Sequence, residues 1–226
     1  MIWSSQPFAA DRMAAGLGPI LIAVGGVASL VGPAIIGAEP IRFMVQENSP
    51  VEIASATLWF VLAASIAVYA AGADRALMVL AILAVAAGAR EMDAHYMFTT
   101  RSISQSSYWV DATVPPGEKL VAGAVLLVLA STAIYGLARY GKSLLSALRA
   151  GNPAAWSLAT LILAVPAIKV VDLLPHYVPG PRGTEQGAPY LILAAAAFEE
   201  ITELLMPVIG VLALGQHSEH RRKRRR

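Results

Sequence analysis

Long apolar runs separated by short polar stretches repeat along the whole of this 226-residue chain. Six can be drawn, near Met13–Ala38, Val51–Ala73, Ala76–His95, Leu120–Tyr140, Ala155–His176 and Tyr190–Gly215. Each is about 20–25 residues long, enough at 1.5 Å per residue to cross a hydrocarbon core of roughly 30 Å. The third reaches that length only by taking in the charged stretch Arg90–His95. The pattern predicts an all-α, polytopic transmembrane helical bundle of about six spanning helices. On this reading residues 1–216 form one transmembrane domain and residues 217–226 a basic tail.

Composition supports the same reading. The chain is 57% hydrophobic and 14% charged, with a mean hydropathy of +0.61, against roughly 45–50% and about 25% in a soluble domain. A net charge of +2 gives a nucleic-acid role little support, and the absence of cysteine excludes disulfides, thiolate metal sites and cysteine nucleophiles. Met1–Arg12 has no basic n-region and the first apolar run is too long for a signal-peptide core, so that run is expected to be retained. With the run Arg221–Arg226 placed in the cytoplasm, six crossings bring Arg12, Arg75, Arg139, Lys142 and Arg149 to the same side. Arg42, Arg101, Lys119 and Arg182 fall on the other side, a bias that predicts both termini cytoplasmic.

The connecting segments differ in character. Those expected outside, Glu39–Pro50, Thr99–Lys119 and Val178–Pro189, are rich in proline and read as structured loops; Tyr108, Trp109 and Tyr190 suit an aromatic belt. Gly141–Asn152 on the inner side reads as a short interfacial helix. Pro19, Pro33 and Pro166 would open their helices locally, and the glycines of the first run allow close helix packing. No inverted repeat of the transporter kind is visible.

Charge inside the apolar runs carries the chemical information, because each ionisable group at membrane depth costs several kcal/mol unless paired or hydrated. Glu91, Asp93 and His95 end the third run, Lys169, Asp172 and His176 lie in the fifth, and Glu199, Glu200 and Glu203 lie in the sixth. Glu91 and His95, Asp172 and His176, and Glu199 and Glu203 are each four apart, a spacing that puts both members on one helix face. The topology places all three clusters in the outer half of the membrane, with Glu203 deepest and Glu47 and Glu52 at the entrance. Arg90 and Lys169 are the expected internal counter-ions. The bland alternative is a structural lock of neutralised charges, but six acids face two cations and two histidines, so some acids must be protonated, hydrated or bound to something positive.

These residues point to an outward-facing acidic and histidine-bearing cavity that binds a cation, a metal ion or a polar lipid headgroup. If a divalent metal ion is the cofactor, Glu91, His95, His176, Glu199 and Glu203 are its candidate ligands. A metal-dependent membrane hydrolase or oxidase would then use Glu203 or Asp93 as general base. The Glu-x-x-x-His spacing at Glu91 and His95 departs from the Glu-x-x-His of di-iron bundles. A proton- or cation-coupled transporter is a second reading, weakened by the almost wholly apolar inner halves of the helices. An accessory or scaffolding subunit of a larger membrane complex, or a homo-oligomer, is a third. The expected partner in every case is the bilayer, and the basic tail suits anionic lipid.

Two motifs carry a resemblance. Glu47-Asn48-Ser49-Pro50-Val51-Glu52 opens the second run; Arg90-Glu91-Met92-Asp93-Ala94-His95, followed by Phe98-Thr99, closes the third. With Glu118-Lys119-Leu120 they make the middle of the chain similar to a family of uncharacterised bacterial inner-membrane proteins. The resemblance implies a bacterial inner-membrane location and brings no activity.

Overall fold

The computed structural model describes residues 14–46, 48–103, 106–177 and 187–225, and side chains of residues 14–46, 48–103, 107–171 and 190–222. Among these the fold is helical throughout, without strands. The α-helices are α1 (Leu17–Ile36), α2 (Ala38–Val45), α3 (Pro50–Gly72), α4 (Met78–Glu91), α5 (Ser106–Val110), α6 (Pro116–Arg149), α7 (Pro153–Tyr177) and α8 (Gly187–Arg225). Short 3-10 turns, Arg75–Leu77 and Ala94–Met97, flank α4.

Four candidate membrane spans stand out by length and apolar character: Leu17–Ile36, a stretch within Ala38–Gly72, Pro116–Arg149 and Pro153–Val171. The expected third and sixth spans fall on α4 and α8. α4 has 14 residues, about 21 Å of helix, short of a hydrocarbon core by itself. α8 is ample at 39 residues, but Glu199, Glu200 and Glu203 interrupt its apolar run.

The chain divides into two compact units, one of residues 1–55 and 143–226 and the other of residues 56–142. The boundaries fall inside α3 and α6. In the first unit α8 is the central helix, with α1 and α7 packed along it. The register of α1 can be read from single contacts. Gln216 Nε2 donates to the Ala14 carbonyl (3.1 Å), Gly25 lies under Ile201 and Leu205, Gly26 under Phe198, and the Tyr190 hydroxyl donates to the Leu30 carbonyl. Rising numbers on α1 meet falling numbers on α8, so the two are antiparallel. Gly18 meets Ser157 and Thr160 at the start of α7, which makes α1 and α7 parallel.

The packing of α1 is inside-out relative to a soluble helix. It buries Gly18, Gly25, Ser29 and Pro33 and exposes Ile20, Val24, Val27, Leu30, Val31 and Ile35. Where the surroundings are as apolar as leucine, nothing drives large side chains inward, and close backbone approach at small residues holds helices together instead. A Cβ on Gly25 would lie 2.8 Å from Leu205 Cδ1 and 3.0 Å from Ile201 Cγ2, so this crossing depends on glycine.

The connections follow capping chemistry. Gly151, at φ +72°, closes α6: its N–H bonds the Leu148 carbonyl and the Asn152 N–H bonds the Ala147 carbonyl, the paired bonds of a Schellman end. Asn152 Oδ1 then accepts from the Ala155 N–H (3.2 Å) and opens α7, whose first residue is Pro153.

Two segments differ from expectation. The Glu39–Pro50 loop contains α2, since Pro40 sits in a first turn where its missing N–H costs nothing. The separate inner helix of Gly141–Asn152 is instead the end of α6, which runs unbroken for 34 residues.

Candidate functional site

The residues singled out for chemistry form two groups, one in each unit. Glu199, Glu200 and Glu203 belong to the unit of α1, α7 and α8. Phe198 rests on Gly26 and Ile201 on Gly25, so this acidic turn lies level with the middle of α1. Glu203 is 6% exposed, and Glu199 and Glu200 are half-buried. α8 is continuous through this region, so the four-residue spacing of Glu199 and Glu203 does place them on one face.

The backbone at Glu203 has a feature of its own. Pro207 lies four residues on, inside α8 and fully buried. A proline has no N–H, so the Glu203 carbonyl loses its helical donor. The Ser55 hydroxyl takes that place, donating to the Glu203 carbonyl at 3.1 Å. Beside it Thr202 is 1% exposed, and its Oγ1 has no hydrogen-bond partner among the described residues. The acidic turn therefore sits where α8 is opened by proline and where a buried hydroxyl is left over. Lys169 is exposed on α7. Asp172 and His176 fall within α7 by position, but their side chains lie outside the described residues.

Glu91, Asp93 and His95 belong to the other unit. Glu91 is the last residue of α4 and 7% exposed, and Arg90 Nη1 pairs with its Oε1 at 3.0 Å. A carboxylate at a helix C-terminus opposes the dipole, and the neighbouring guanidinium offsets that. The expected shared face of Glu91 and His95 is corrected here. α4 stops at Glu91, Asp93 turns left-handed at φ +49°, and Ala94–Met97 continues as a 3-10 turn. Four-residue spacing gives one face only on an unbroken α-helix. His95 Nδ1 lies 3.8 Å from Asp93 Oδ1, the imidazole lies against Tyr96 with ring centroids 4.2 Å apart, and the His95 carbonyl accepts from Thr99 Oγ1 at 2.7 Å. His95 Nε2 is buried without a hydrogen-bond partner among the described residues.

The motif at the start of α3 has a local explanation. Asn48 is left-handed at φ +59°, a conformation asparagine tolerates. Ser49 Oγ accepts from the Glu52 N–H (3.1 Å), Pro50 is the first helical residue, and Glu52 Oε2 accepts from the Asn48 N–H (2.6 Å). This is a capping box, displaced by one residue on the return bond. Glu47, the other expected entrance residue, lies outside the described residues.

The described residues of the Thr99–Lys119 segment, 99–103 and 106–119, form a folded cap. Asp111 accepts from Arg101 (2.6 Å) and from the Thr113 N–H (2.8 Å) and hydroxyl (2.7 Å). Lys119 Nζ donates to the Trp109 and Asp111 carbonyls, and Glu118 Oε1 accepts from the Thr100 N–H. Tyr108 is not a belt residue: it is fully buried with Val114 and Ala122. Near the other end of α8, burial first, then the Arg221 guanidinium and then the neighbouring His220, push the His217 imidazole down to about 4, so it is neutral at pH 7.

Two polar anchors escaped the sequence reading. Gln216 ties α8 to both neighbours, accepting from Ser157 Oγ (2.9 Å) while donating to Ala14. Ser55 lies 148 residues from its partner Glu203, beyond the reach of any spacing rule. The signal that was readable is Pro207 four residues after Glu203, which marks that carbonyl as needing another donor. Among the described residues no three His, Asp or Glu side chains are grouped to hold a metal ion. Scans against family models, curated proteins and solved structures find no match to the chain.

Proposed function

We propose that this is a multi-pass protein of a bacterial inner membrane, crossing six times with both termini cytoplasmic, and that the acidic turn of α8 binds a cation, a metal ion or a polar headgroup. The observation that carries the reading is the burial of Glu203 level with the middle of α1, a helix with an apolar outer face. Three carboxyl groups within little more than one turn repel one another when ionised, and low dielectric raises that cost. A bound positive charge, or protons, relieves it. Thr202, next to Glu203 in sequence, adds a buried hydroxyl without a hydrogen-bond partner among the described residues, and carboxyl and hydroxyl oxygens are the donors that suit alkali or divalent cations. The two further crossings are α4 lengthened by its flanking 3-10 turns, and α8 itself with its acids turned toward protein.

The test is modification of the purified, detergent-solubilised protein by a hydrophobic carbodiimide, which attacks protonated carboxyl groups, alongside elemental analysis. Modification at Glu203 that sodium, potassium, magnesium, manganese or zinc suppresses supports the reading, as does near-stoichiometric metal that disappears in Glu203→Gln. Labelling unaffected by every cation, with no metal in either sample, overturns it. Co-purification with other membrane proteins would then favour an accessory subunit.

A further inference from the structure

The unit of residues 56–142 contains a cleft unrelated to the acidic turn. It is about 370 Å³ and is lined by Arg75, Val79 and Ile82 from the start of α4 and by Ser131, Thr132 and Tyr135 from α6. That volume lies within the roughly 300–1,000 Å³ of small-molecule sites. Val79 Cγ1 comes within 3.8 Å of where a Cβ on Gly136 would sit, so the two helices touch there. The walls are mainly apolar, and Ile82 and Tyr135 remain exposed. α6 is a candidate span, so on the membrane reading proposed above, on which this inference rests, a groove along it opens onto lipid tails.

Its Arg75 end is polar and positive. Asp74 Oδ1 caps the first 3-10 turn by accepting from the Ala76 N–H (3.0 Å), and Oδ2 accepts from the Tyr140 hydroxyl (3.4 Å). That bond brings the segment carrying Arg75 to the part of α6 carrying Arg139. Arg139 lies 5.7 Å from the Tyr140 ring centroid. Tyr135, Arg139 and Lys142 are spaced four and then three apart on unbroken α6, so the face that lines the cleft continues into two more cations. Three cations stand against one carboxylate, and that carboxylate is engaged with Ala76 and Tyr140.

We infer that this cleft is a binding site for a phospholipid with an anionic headgroup. The phosphate meets Arg75 and Arg139, and one acyl chain lies along Val79 and Ile82. Basic pockets between membrane helices select anionic lipids because cations hold the phosphate while the groove holds the chain. The two parts are separable, which makes the site testable. The full chain, stripped of lipid in detergent, is offered equimolar phosphatidylglycerol and phosphatidylcholine, and retained lipid is counted by native mass spectrometry. The expected result is about tenfold preference for phosphatidylglycerol, about 1.4 kcal/mol, which falls to near unity in the double variant Arg75→Gln, Arg139→Gln. Ile82→Trp, at an exposed position that fills the groove, should lose the lipid while keeping the cations. Equal retention of both lipids by the parent, or undiminished phosphatidylglycerol in the double variant, overturns the inference. So does displacement of the lipid by millimolar inorganic phosphate, which would make this a site for a free anion.

Discussion

Glu203 lies in the middle of a 39-residue helix at 6% exposure, and Glu91 ends a 14-residue helix at 7%. The two are buried alike and supported differently. Glu91 has its counter-charge next to it in sequence, Arg90 at 3.0 Å, and the chain leaves the helix directly afterwards. The surroundings of Glu203 come from far away: Ser55 bonds its carbonyl, and glycines of α1 admit Phe198, Ile201 and Leu205 on either side of it. A locally neutralised acid is a stable end to a helix. An acid whose position depends on tertiary packing, at a proline-opened turn, can respond when something binds. That contrast, more than burial, is the basis on which we propose a binding role for α8.

The largest blow to the comparison should come from Gly25→Leu. The new side chain must push into Leu205 and Ile201 and separate α1 from α8, which should cost about 3 kcal/mol and shift the environment of Glu203. Thermal melting in detergent and carbodiimide labelling at Glu203 read both effects; a chain that melts and labels like the parent would show that this crossing does not shape the acidic turn. Next comes Arg90→Ala, which leaves the Glu91 carboxylate without its adjacent cation. The loss should be about 2 kcal/mol, held below that of a fully buried pair because the guanidinium is 51% exposed. It should exceed the loss from Glu203→Gln, and Arg90→Ala, Glu91→Gln should recover most of it. If the double variant is no better than the single, Arg90 acts through something other than Glu91.

Ser55→Ala should cost about 1 kcal/mol, the worth of one net hydrogen bond. The sharper measurement is its coupling to Pro207→Ala. Alanine at 207 restores an N–H to the Glu203 carbonyl, so Ser55→Ala should then cost only a few tenths of a kcal/mol. Equal costs in the two backgrounds would separate Ser55 from the proline gap and leave the carbonyl bond incidental.

The same contrast between near and far decides what could be read from the sequence. The apolar runs anticipated α1, α3 and α7 closely, because hydropathy and length are local quantities. The Gly151-Asn152-Pro153 turn and the Asn48–Glu52 cap are likewise written in neighbouring residues. What failed was the extension of local rules past a break. The Glu91 and His95 spacing assumed a helix that Asp93 ends, and Gly141–Asn152 was separated from a helix that does not stop before Arg149. Gln216 and Ser55 were invisible because their partners lie across the bundle, where no periodicity reaches.

The cap over residues 99–119 tests the local side of the contrast with the smallest effect. Asp111 is held by its neighbours, first the Thr113 N–H, then the Thr113 hydroxyl, then Arg101, and these keep its carboxyl below the ordinary range. A depressed folded value means the unfolded segment takes up its proton at higher pH than the folded one. The stabilisation is therefore fully present above the ordinary carboxylate value of about 4 and is lost as pH falls from there through the folded value. Amide hydrogen exchange across residues 100–119, corrected for intrinsic rates, should be steady from pH 7 to 5 and accelerate below about 4. In Asp111→Asn the cap should exchange faster at neutral pH and lose most of that acid step. An acid step of the same size in the variant would place its origin elsewhere, and Asp111 would then be a passive member of the turn.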